Sequence, residues 1–205
     1  MEDGKWAQEK EFVKKHLEES GGDKFSKFGH TFRSRYTHSM RVLKWVHRLA
    51  EDFPKANLDI MELAAIFHDV GYGAAENESH PTRGAELFHQ YGVEQGMESE
   101  FMKKVETLIL EHTEKYKMNG EISQELLFLM EADLMDEEGA LRIAWDCMAE
   151  GMKAYTSFEA AYQHTLKFYR PANPMITPKA RAYWEEKEHL IQEYLVQFER
   201  DLEED

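Results

Sequence analysis

Residues 57–73 read NLDIMELAAIFHDVGYG, and this stretch decides the fold of the chain. Its first part is apolar on nearly every side, which predicts a short, central, buried helix over residues 58–68. The helix closes on the dipeptide His68-Asp69, and Gly71 stops it. A histidine and a carboxylate side by side at the end of a buried helix can hold a metal ion. The rest of the chain should therefore supply further ligands for this pair.

The composition narrows the class of protein. The chain has 205 residues, 42% of them hydrophobic, which suits one domain or one domain with an extension. The net charge of −15 argues against binding a nucleic-acid polymer, although a bound metal could still attract a small anion. The single Cys147 excludes an intramolecular disulfide and most thiolate metal sites. No apolar run approaches the ~20 residues of a membrane span, and the N-terminus lacks a signal-like apolar core. We therefore expect a soluble cytoplasmic protein with no membrane partner.

Nearly every other segment shows helical periodicity, so the predicted fold class is all-α. No segment alternates for long enough to predict a strand. Residues 115–120 read as a turn, and a Pro-rich break lies at residues 169–178. The other predicted helices span residues 6–17, 37–52, 81–91, 98–112, 123–133, 134–148, 157–168 and 178–202. The stripe predicted to face inward on the last helix consists of Trp184, Leu190, Ile191, Leu195 and Phe198.

Two acidic residues stand where burial would be costly. Asp69 closes one apolar helix, and Asp133 is predicted to close another. A buried carboxylate needs a cation or several hydrogen-bond donors. His38, His80 and His112 are suitably spaced partners. Imidazole and carboxylate ligands suit Fe, Mn, Ni, Co or Zn, and the lack of thiolates argues against a structural zinc site. The sequence therefore predicts a site for one or two divalent transition metal ions.

At these positions the chain resembles the HD superfamily of metal-dependent phosphohydrolases, over about residues 36–136. The resemblance implies a single compact HD-type helical bundle, residues 1–205, with additional N- and C-terminal helices. Residues 36–136 would form the metal-binding core, and residues 155–203 a C-terminal helical extension. The matching segments are YTHSMRV (36–42), AAIFHDVG (64–71), HPTRGAE (80–86), ILEH (109–112) and EAD (131–133).

The resemblance also implies a role for each ligand. Asp69 would bridge from a first metal ion to a second one. His80 and His112 fall where two-metal members of the superfamily place extra histidines. The alternative is that these two histidines line the pocket as hydrogen-bonded residues and contact substrate phosphate. The implied ligands of the first ion are His38, His68, Asp69 and Asp133.

One branch of the superfamily is disfavoured. Cyclic-dinucleotide phosphodiesterases with an HD-GYP signature carry paired histidines near the third site and a lysine after the HD-x-G segment. Here the corresponding positions read His112-Thr113 and Tyr72. We therefore do not expect that activity.

A phosphohydrolase mechanism follows from these ligands, because a metal lowers the pKa of bound water. Asp69 is the candidate for orienting or deprotonating the attacking water. Arg41, Arg83 and Lys115 flank ligand-bearing segments and are candidates for holding the substrate phosphate. Ordinary surface salt bridges are the alternative for each of these three cations. The expected substrate is a nucleotide or another small phosphate ester.

Two other functions stay open. Some two-iron members of the superfamily share this six-ligand order and oxidise small polyols or phosphonates. A non-catalytic regulatory protein could keep the pocket as a metal or ligand sensor, although all four signature positions are intact here. The amphipathic terminal helices also leave a homodimer open.

Overall fold

The structure is a computed structural model that describes residues 4–22, 34–51, 53, 55–73, 79–170 and 172–203. Within these residues it is all-α, as predicted, and contains no strand. Residues 23–33 and 74–78, which lie between predicted helices, are outside the described residues, as are Pro54 and Pro171. The helices are α1 (Ala7–Glu19), α2 (Arg35–Ala50), α3 (Leu58–Phe67), α4 (His80–Glu94), α5 (Ser99–Glu111), α6 (Gln124–Asp136), α7 (Ala140–Gly151), α8 (Phe158–Phe168) and α9 (Pro178–Leu202).

The chain divides into two compact units, Met1–Asp133 and Leu134–Asp205. In the first unit, α3 is the central element and packs against α1, α2, α4 and α5. Every residue of α3 from Ile60 onward is buried, as its apolar sequence predicted. The side chain of Asn57 caps the helix by accepting a hydrogen bond from the backbone N–H of Ile60 at 3.3 Å. The end of α3 therefore lies in the interior of the first unit.

Gly71 brings the end of α3 close to the start of α4. A Cβ atom added at Gly71 would lie 2.1 Å from the carbonyl oxygen of His80 and 2.6 Å from the backbone nitrogen of Gly84. Only a residue without a side chain permits this approach. Pro81 occupies the first turn of α4, as predicted. The absence of a side chain at Gly71 therefore allows the start of α4, which carries His80, to lie close to the end of α3, which carries Asp69.

Several element boundaries differ from the prediction, and the largest difference is at α7, which begins at Ala140 and not at residue 134. Helix α2 begins at Arg35, two residues early, because the side chain of Ser34 caps it by accepting a hydrogen bond from the N–H of Thr37 at 3.1 Å. The predicted turn after α5 is a short 3₁₀ helix, Lys115–Asn119. Helix α6 continues to Asp136, so Asp133 lies inside the helix and not at its end. No glycine or proline interrupts α6 before Gly139, where φ is +79°.

The second unit contains α7, α8 and α9. Tyr162, Ile191 and Leu195 form a buried cluster, with Tyr194 and Phe198 packed against it. Thr177 caps α9 by accepting a hydrogen bond from the N–H of Ala180. The prediction that Leu190 faces inward is wrong, because its side chain is 42% exposed. No helix in the described part of the chain is both long and apolar enough to cross a bilayer.

Candidate metal centre

Six side chains from five helices converge inside the first unit. Four of them, His38, His68, Asp69 and His112, are buried. Asp133 is mostly buried, and His80 is 20% exposed. His38 comes from the first turn of α2, and His68 and Asp69 directly follow α3. His80 is the first residue of α4, His112 directly follows α5, and Asp133 lies on α6.

The first group consists of His38, His68, Asp69 and Asp133. The Nε2 atoms of His38 and His68 are 3.3 Å apart. The Oδ1 atom of Asp133 lies 3.0 Å from Nε2 of His38 and 3.9 Å from Nε2 of His68. The Oδ2 atom of Asp69 is 3.7 Å from both of these nitrogens. The ligand atoms therefore face a common point, as a metal site requires.

The second group consists of His80, His112 and Asp69. The Nε2 atoms of His80 and His112 are 3.3 Å apart. They lie 3.5 Å and 3.8 Å, respectively, from Oδ1 of Asp69. Asp69 thus faces one pair of histidines with Oδ2 and the other pair with Oδ1. A carboxylate in this position can bridge two ions.

Two of the histidines are oriented by the backbone of their own helices. Nδ1 of His68 lies 2.9 Å from the carbonyl oxygen of Ala65, and Nδ1 of His112 lies 2.7 Å from that of Ile109. A carbonyl oxygen only accepts, so Nδ1 carries the hydrogen in both rings. In the neutral ring the lone pair is then on Nε2, which points toward Asp69. This arrangement fixes the tautomer that binds metal.

Burial keeps three of the histidines in their neutral form. It lowers the pKa of His80 to about 4 and that of His112 to about 3. Burial also lowers the pKa of His68. Since metal binds the neutral imidazole, these rings need not lose a proton to bind an ion at pH 7.

Neighbouring charges keep both carboxylates ionised. Burial alone would raise the pKa of Asp69, but the charges of His68 and Arg35 hold it well below its usual range. His68 is neutral at pH 7, so the permanent charge of Arg35 is the cause that persists there. Burial would likewise raise the pKa of Asp133, but the charge of Lys115 lowers it well below its usual range.

The cations at the centre differ partly from those predicted. Nζ of Lys115 donates to Oδ2 of Asp133 at 2.8 Å, so this predicted cation does lie at the site. Arg35, which lies two residues before the predicted start of α2, donates from Nη1 to Oδ2 of Asp69 at 3.1 Å. Arg83 is half-buried on α4, and within the described residues no hydrogen bond or ion pair joins it to the six convergent side chains. Arg41 is half-buried on α2, three residues after His38.

The donor set fits a divalent transition metal. Three overlapping groups of three residues each bring one ligand atom from every member within 4.8 Å of the others. The groups are His38, His68 and Asp69, then His68, His112 and Asp133, then Asp69, His80 and His112. Neutral imidazole nitrogens and ionised carboxylates are ligands suited to Fe, Mn, Ni, Co and Zn. No thiolate belongs to any of the three groups.

The chain is similar in sequence to one bacterial protein and in fold to solved bacterial structures. The chain is 28% identical over 120 residues to YueE of Bacillus subtilis, which carries the provisional name of a phosphohydrolase. That match covers 52% of this chain and 68% of YueE. The fold is similar to that of Bacillus subtilis YpgQ in complex with ADP, with a TM-score of 0.66 and 25% identity over 95% of this chain and 93% of YpgQ. An HD-superfamily hydrolase from Bacillus thuringiensis has a TM-score of 0.66 and 24% identity, and 98% of each chain is covered.

The family assignment rests on the segment that carries all six converging side chains. The model of the HD domain family matches residues 35–138, which is just over half of the chain. This segment begins at the first residue of α2 and includes α3, α4, α5 and α6. The chain therefore belongs to the HD domain family.

Proposed function

We propose that this protein is a metal-dependent phosphohydrolase that acts on a nucleotide or another small phosphate ester. The observation that carries the proposal is the position of Asp69, whose two oxygens face two separate pairs of histidines. The provisional name of YueE supports hydrolysis of a phosphate ester or anhydride. The ADP complex of YpgQ makes nucleotides the first substrates to test.

His38, His68, Asp69 and Asp133 would hold the first ion. Asp69, His80 and His112 would hold a second. A bound divalent metal supplies a water of lowered pKa and a Lewis acid for a phosphoryl oxygen. The protein's own contribution is to keep the imidazoles neutral and the carboxylates ionised before the substrate arrives.

Asp69 would orient the attacking water more effectively than it would deprotonate it. Its pKa is held well below the usual range, so it is a weak proton acceptor at pH 7. An ionised carboxylate still accepts a hydrogen bond from water and fixes its direction. Of the two roles predicted for Asp69, orientation is the one that this electrostatic environment supports.

Two cations stand next to the ligand carboxylates. Lys115 contacts Asp133 and Arg35 contacts Asp69, and both side chains are partly accessible. A phosphate that enters the centre would meet these two positive charges, which would offset part of its own charge. Arg41 and Arg83 remain predicted phosphate ligands.

The test is a hydrolysis screen on protein of known metal content. Chelator-stripped protein is reloaded with Mn²⁺, Co²⁺, Ni²⁺, Zn²⁺ or Fe²⁺ and incubated with nucleoside mono-, di- and triphosphates and small phosphate esters. Metal-dependent release of phosphate or pyrophosphate, abolished by Asp69→Asn, would support the proposal. A loaded protein that releases neither from any of these substrates would contradict it.

A two-iron oxygenase is the second candidate, because a carboxylate between two histidine pairs also suits a pair of iron ions. Anaerobically loaded Fe²⁺ protein that consumes oxygen with a small polyol or phosphonate would favour this candidate. A protein that binds metal but shows neither activity would favour the third candidate, a regulatory sensor.

A further inference from the structure

The ring of Tyr72 stacks on the ring of His80. The ring centroids are 4.1 Å apart and the planes differ by 18°. The guanidinium carbon of Arg35 lies 3.8 Å from the centroid of the same Tyr72 ring. Two planar groups this close to one ring centre cannot share a face, so Arg35 and His80 lie on opposite faces of Tyr72. The three side chains form one continuous stack.

Both ends of this stack reach Asp69. Arg35 donates to Oδ2 at 3.1 Å, and Nε2 of His80 lies 3.5 Å from Oδ1. The backbone N–H of Tyr72 donates to the carbonyl oxygen of Asp69 at 3.2 Å. Tyr72 is thus placed by the same turn that places Asp69.

The backbone of Tyr72 is also held from the side of α1. The hydroxyl of Ser20 donates to the carbonyl oxygen of Tyr72 at 3.4 Å. Gly22 packs so closely that an added Cβ would lie 2.1 Å from that oxygen. The Tyr72 ring therefore stands on an anchored stretch of chain and can act as a fixed platform.

His80 needs such a platform more than the two histidines that end helices. The Nδ1 atoms of His68 and His112 are bound by backbone carbonyls. Among the described residues, no hydrogen bond fixes Nδ1 of His80. Its ring is the most exposed of the four, and it belongs to the first residue of α4. The ring also meets that of His112 edge to face, with centroids 5.3 Å apart, whereas Tyr72 packs against its flat face and so sets its plane.

We propose that Tyr72 is a positioning residue, whose ring orients His80 for the second ion of the centre. The inference rests on the proposed function, because it requires the two-ion site described there. The stacking face would do for His80 what a backbone carbonyl does for His68 and His112. Tyr72 would therefore control the affinity of the second ion and leave that of the first unchanged.

The experiment measures how Mn²⁺ alone binds to the full chain. Stripped protein is titrated by equilibrium dialysis, and bound metal is determined by elemental analysis for the wild type and four variants. Tyr72→Leu and Tyr72→Met remove the stacking ring at similar volume, and Tyr72→Phe keeps it. Tyr116→Leu removes a tyrosine that is 76% exposed, and serves as the matched control.

We expect two ions in the wild type and an undisturbed first ion in every variant. Second-ion affinity should fall about 10- to 100-fold in Tyr72→Leu and Tyr72→Met, the usual effect of losing a group that orients a metal ligand. Tyr72→Phe and Tyr116→Leu should stay within about twofold of the wild type, since the ring is kept in one and lies outside the stack in the other. The first ion serves as an internal control, because a general loss of fold lowers both affinities.

Three results would overturn the inference. Wild-type second-ion affinity in Tyr72→Leu and Tyr72→Met would refute it and leave the two-ion centre intact. Equal loss of both ions in these two variants would contradict a role confined to His80. A wild-type protein that binds a single ion would refute the two-ion centre itself, and the inference with it.

Discussion

His68 and His112 are built into the centre in the same way. Each directly follows the last residue of a helix, α3 or α5, and each donates from Nδ1 to the carbonyl oxygen three residues earlier. Their rings meet edge to face, with centroids 5.1 Å apart. Each of the two pairs of histidines around Asp69 therefore contains one histidine that directly follows a helix and is oriented by a backbone carbonyl of that helix.

Replacing Asp69 by Asn should remove both ions. The amide keeps the shape of the side chain but carries no charge to hold a cation on either side. We expect affinity for both ions to fall more than about 100-fold, beyond the loss typical of an outer-shell change. Elemental analysis and phosphate release measure the two effects. Asp59→Asn, an exposed change on α3, is the control, and full metal content in Asp69→Asn would refute the bridging role.

Replacing His112 by Ala should reduce the metal-to-chain ratio from two to one. The substitution deletes one of the two nitrogens that face Oδ1 of Asp69, whereas the histidines near Oδ2 are retained. Elemental analysis after dialysis gives the ratio. His89→Ala, at a histidine that is largely exposed and paired with Glu106, should not change it. An unchanged ratio in His112→Ala would make His112 a pocket-lining residue.

Replacing Lys115 by Met should weaken substrate binding in protein kept saturated with metal, where the weaker metal affinity expected on losing a partner of Asp133 does not interfere. The ammonium group donates a hydrogen bond to Oδ2 of Asp133 and adds positive charge beside the centre. The variant would lose a hydrogen bond from this ammonium group to the substrate phosphate. Because a hydrogen bond to a charged group contributes about 1.5–3 kcal/mol, we expect KM for a phosphate substrate to rise about 10-fold or more. Lys117→Met, on the same 3₁₀ helix but paired with Glu111 and Glu114, is the matched control. Equal kinetics in the two variants would argue against a substrate role for Lys115.

Acid should destabilise the metal-free protein through its buried histidines. The folded-state pKa values of about 4 for His80 and about 3 for His112 lie below the value near 6.5 of an unfolded chain. Below pH 6.5 the unfolded chain takes up protons that the folded chain does not. The free energy of unfolding should therefore fall from pH 6.5 toward pH 4, by up to about 1.4 kcal/mol per pH unit for each histidine. Above pH 6.5 these groups should add no pH dependence.

Urea unfolding in chelator at several pH values measures this dependence. His112→Gln should flatten the slope between pH 6.5 and pH 4, because it removes one of the depressed groups. Gln90→Ala, an exposed change on α4, should leave the slope unchanged, since it removes no titratable group. Identical slopes in the wild type and His112→Gln would contradict the predicted linkage.

Replacing Gly71 by Ala should disturb both the fold and the second ion. The new methyl group would meet the carbonyl of His80 at 2.1 Å, so the start of α4 would have to move away from Asp69. We expect a loss of about 1–3 kcal/mol in the free energy of unfolding, as for other overpacked sites. The control is Gly151→Ala, where a Cβ would meet no atom within 4 Å. Urea unfolding measures the stability. A variant as stable as the wild type would show that the backbone of His80 can move away from residue 71 at little cost.

Local pattern was enough to predict the elements that carry the centre. The apolar run before His68-Asp69 could fit only in the interior, and α3 is buried from Ile60 to Phe67. The spacing of His38, His80 and His112 along separate helices predicted that they would meet at the end of α3. The structure brings all three to Asp69 or to its histidine neighbours.

Arg35 and Tyr72 could not be predicted because their roles depend on tertiary contacts. Arg35 stands in a polar stretch rich in Lys and Arg, where one-dimensional pattern does not distinguish a buried guanidinium from a solvated one. Its neighbour Ser34 is a capping signal that would have moved the start of α2 and placed Arg35 one turn before His38. The stacking of Tyr72 on His80 produces no pattern in the spacing of hydrophobic residues, so the sequence does not indicate it.

The helix-end position of His68 and His112 has a consequence for dynamics. The carbonyls of Ala65 and Ile109 belong to the last turns of α3 and α5, where main-chain acceptors lack partners within the helix. The two ligand rings therefore cap the helices that present them. Two ions that share Asp69 would each restrain one of these helix termini, so fraying of a terminus and release of the ion held there would be one linked event.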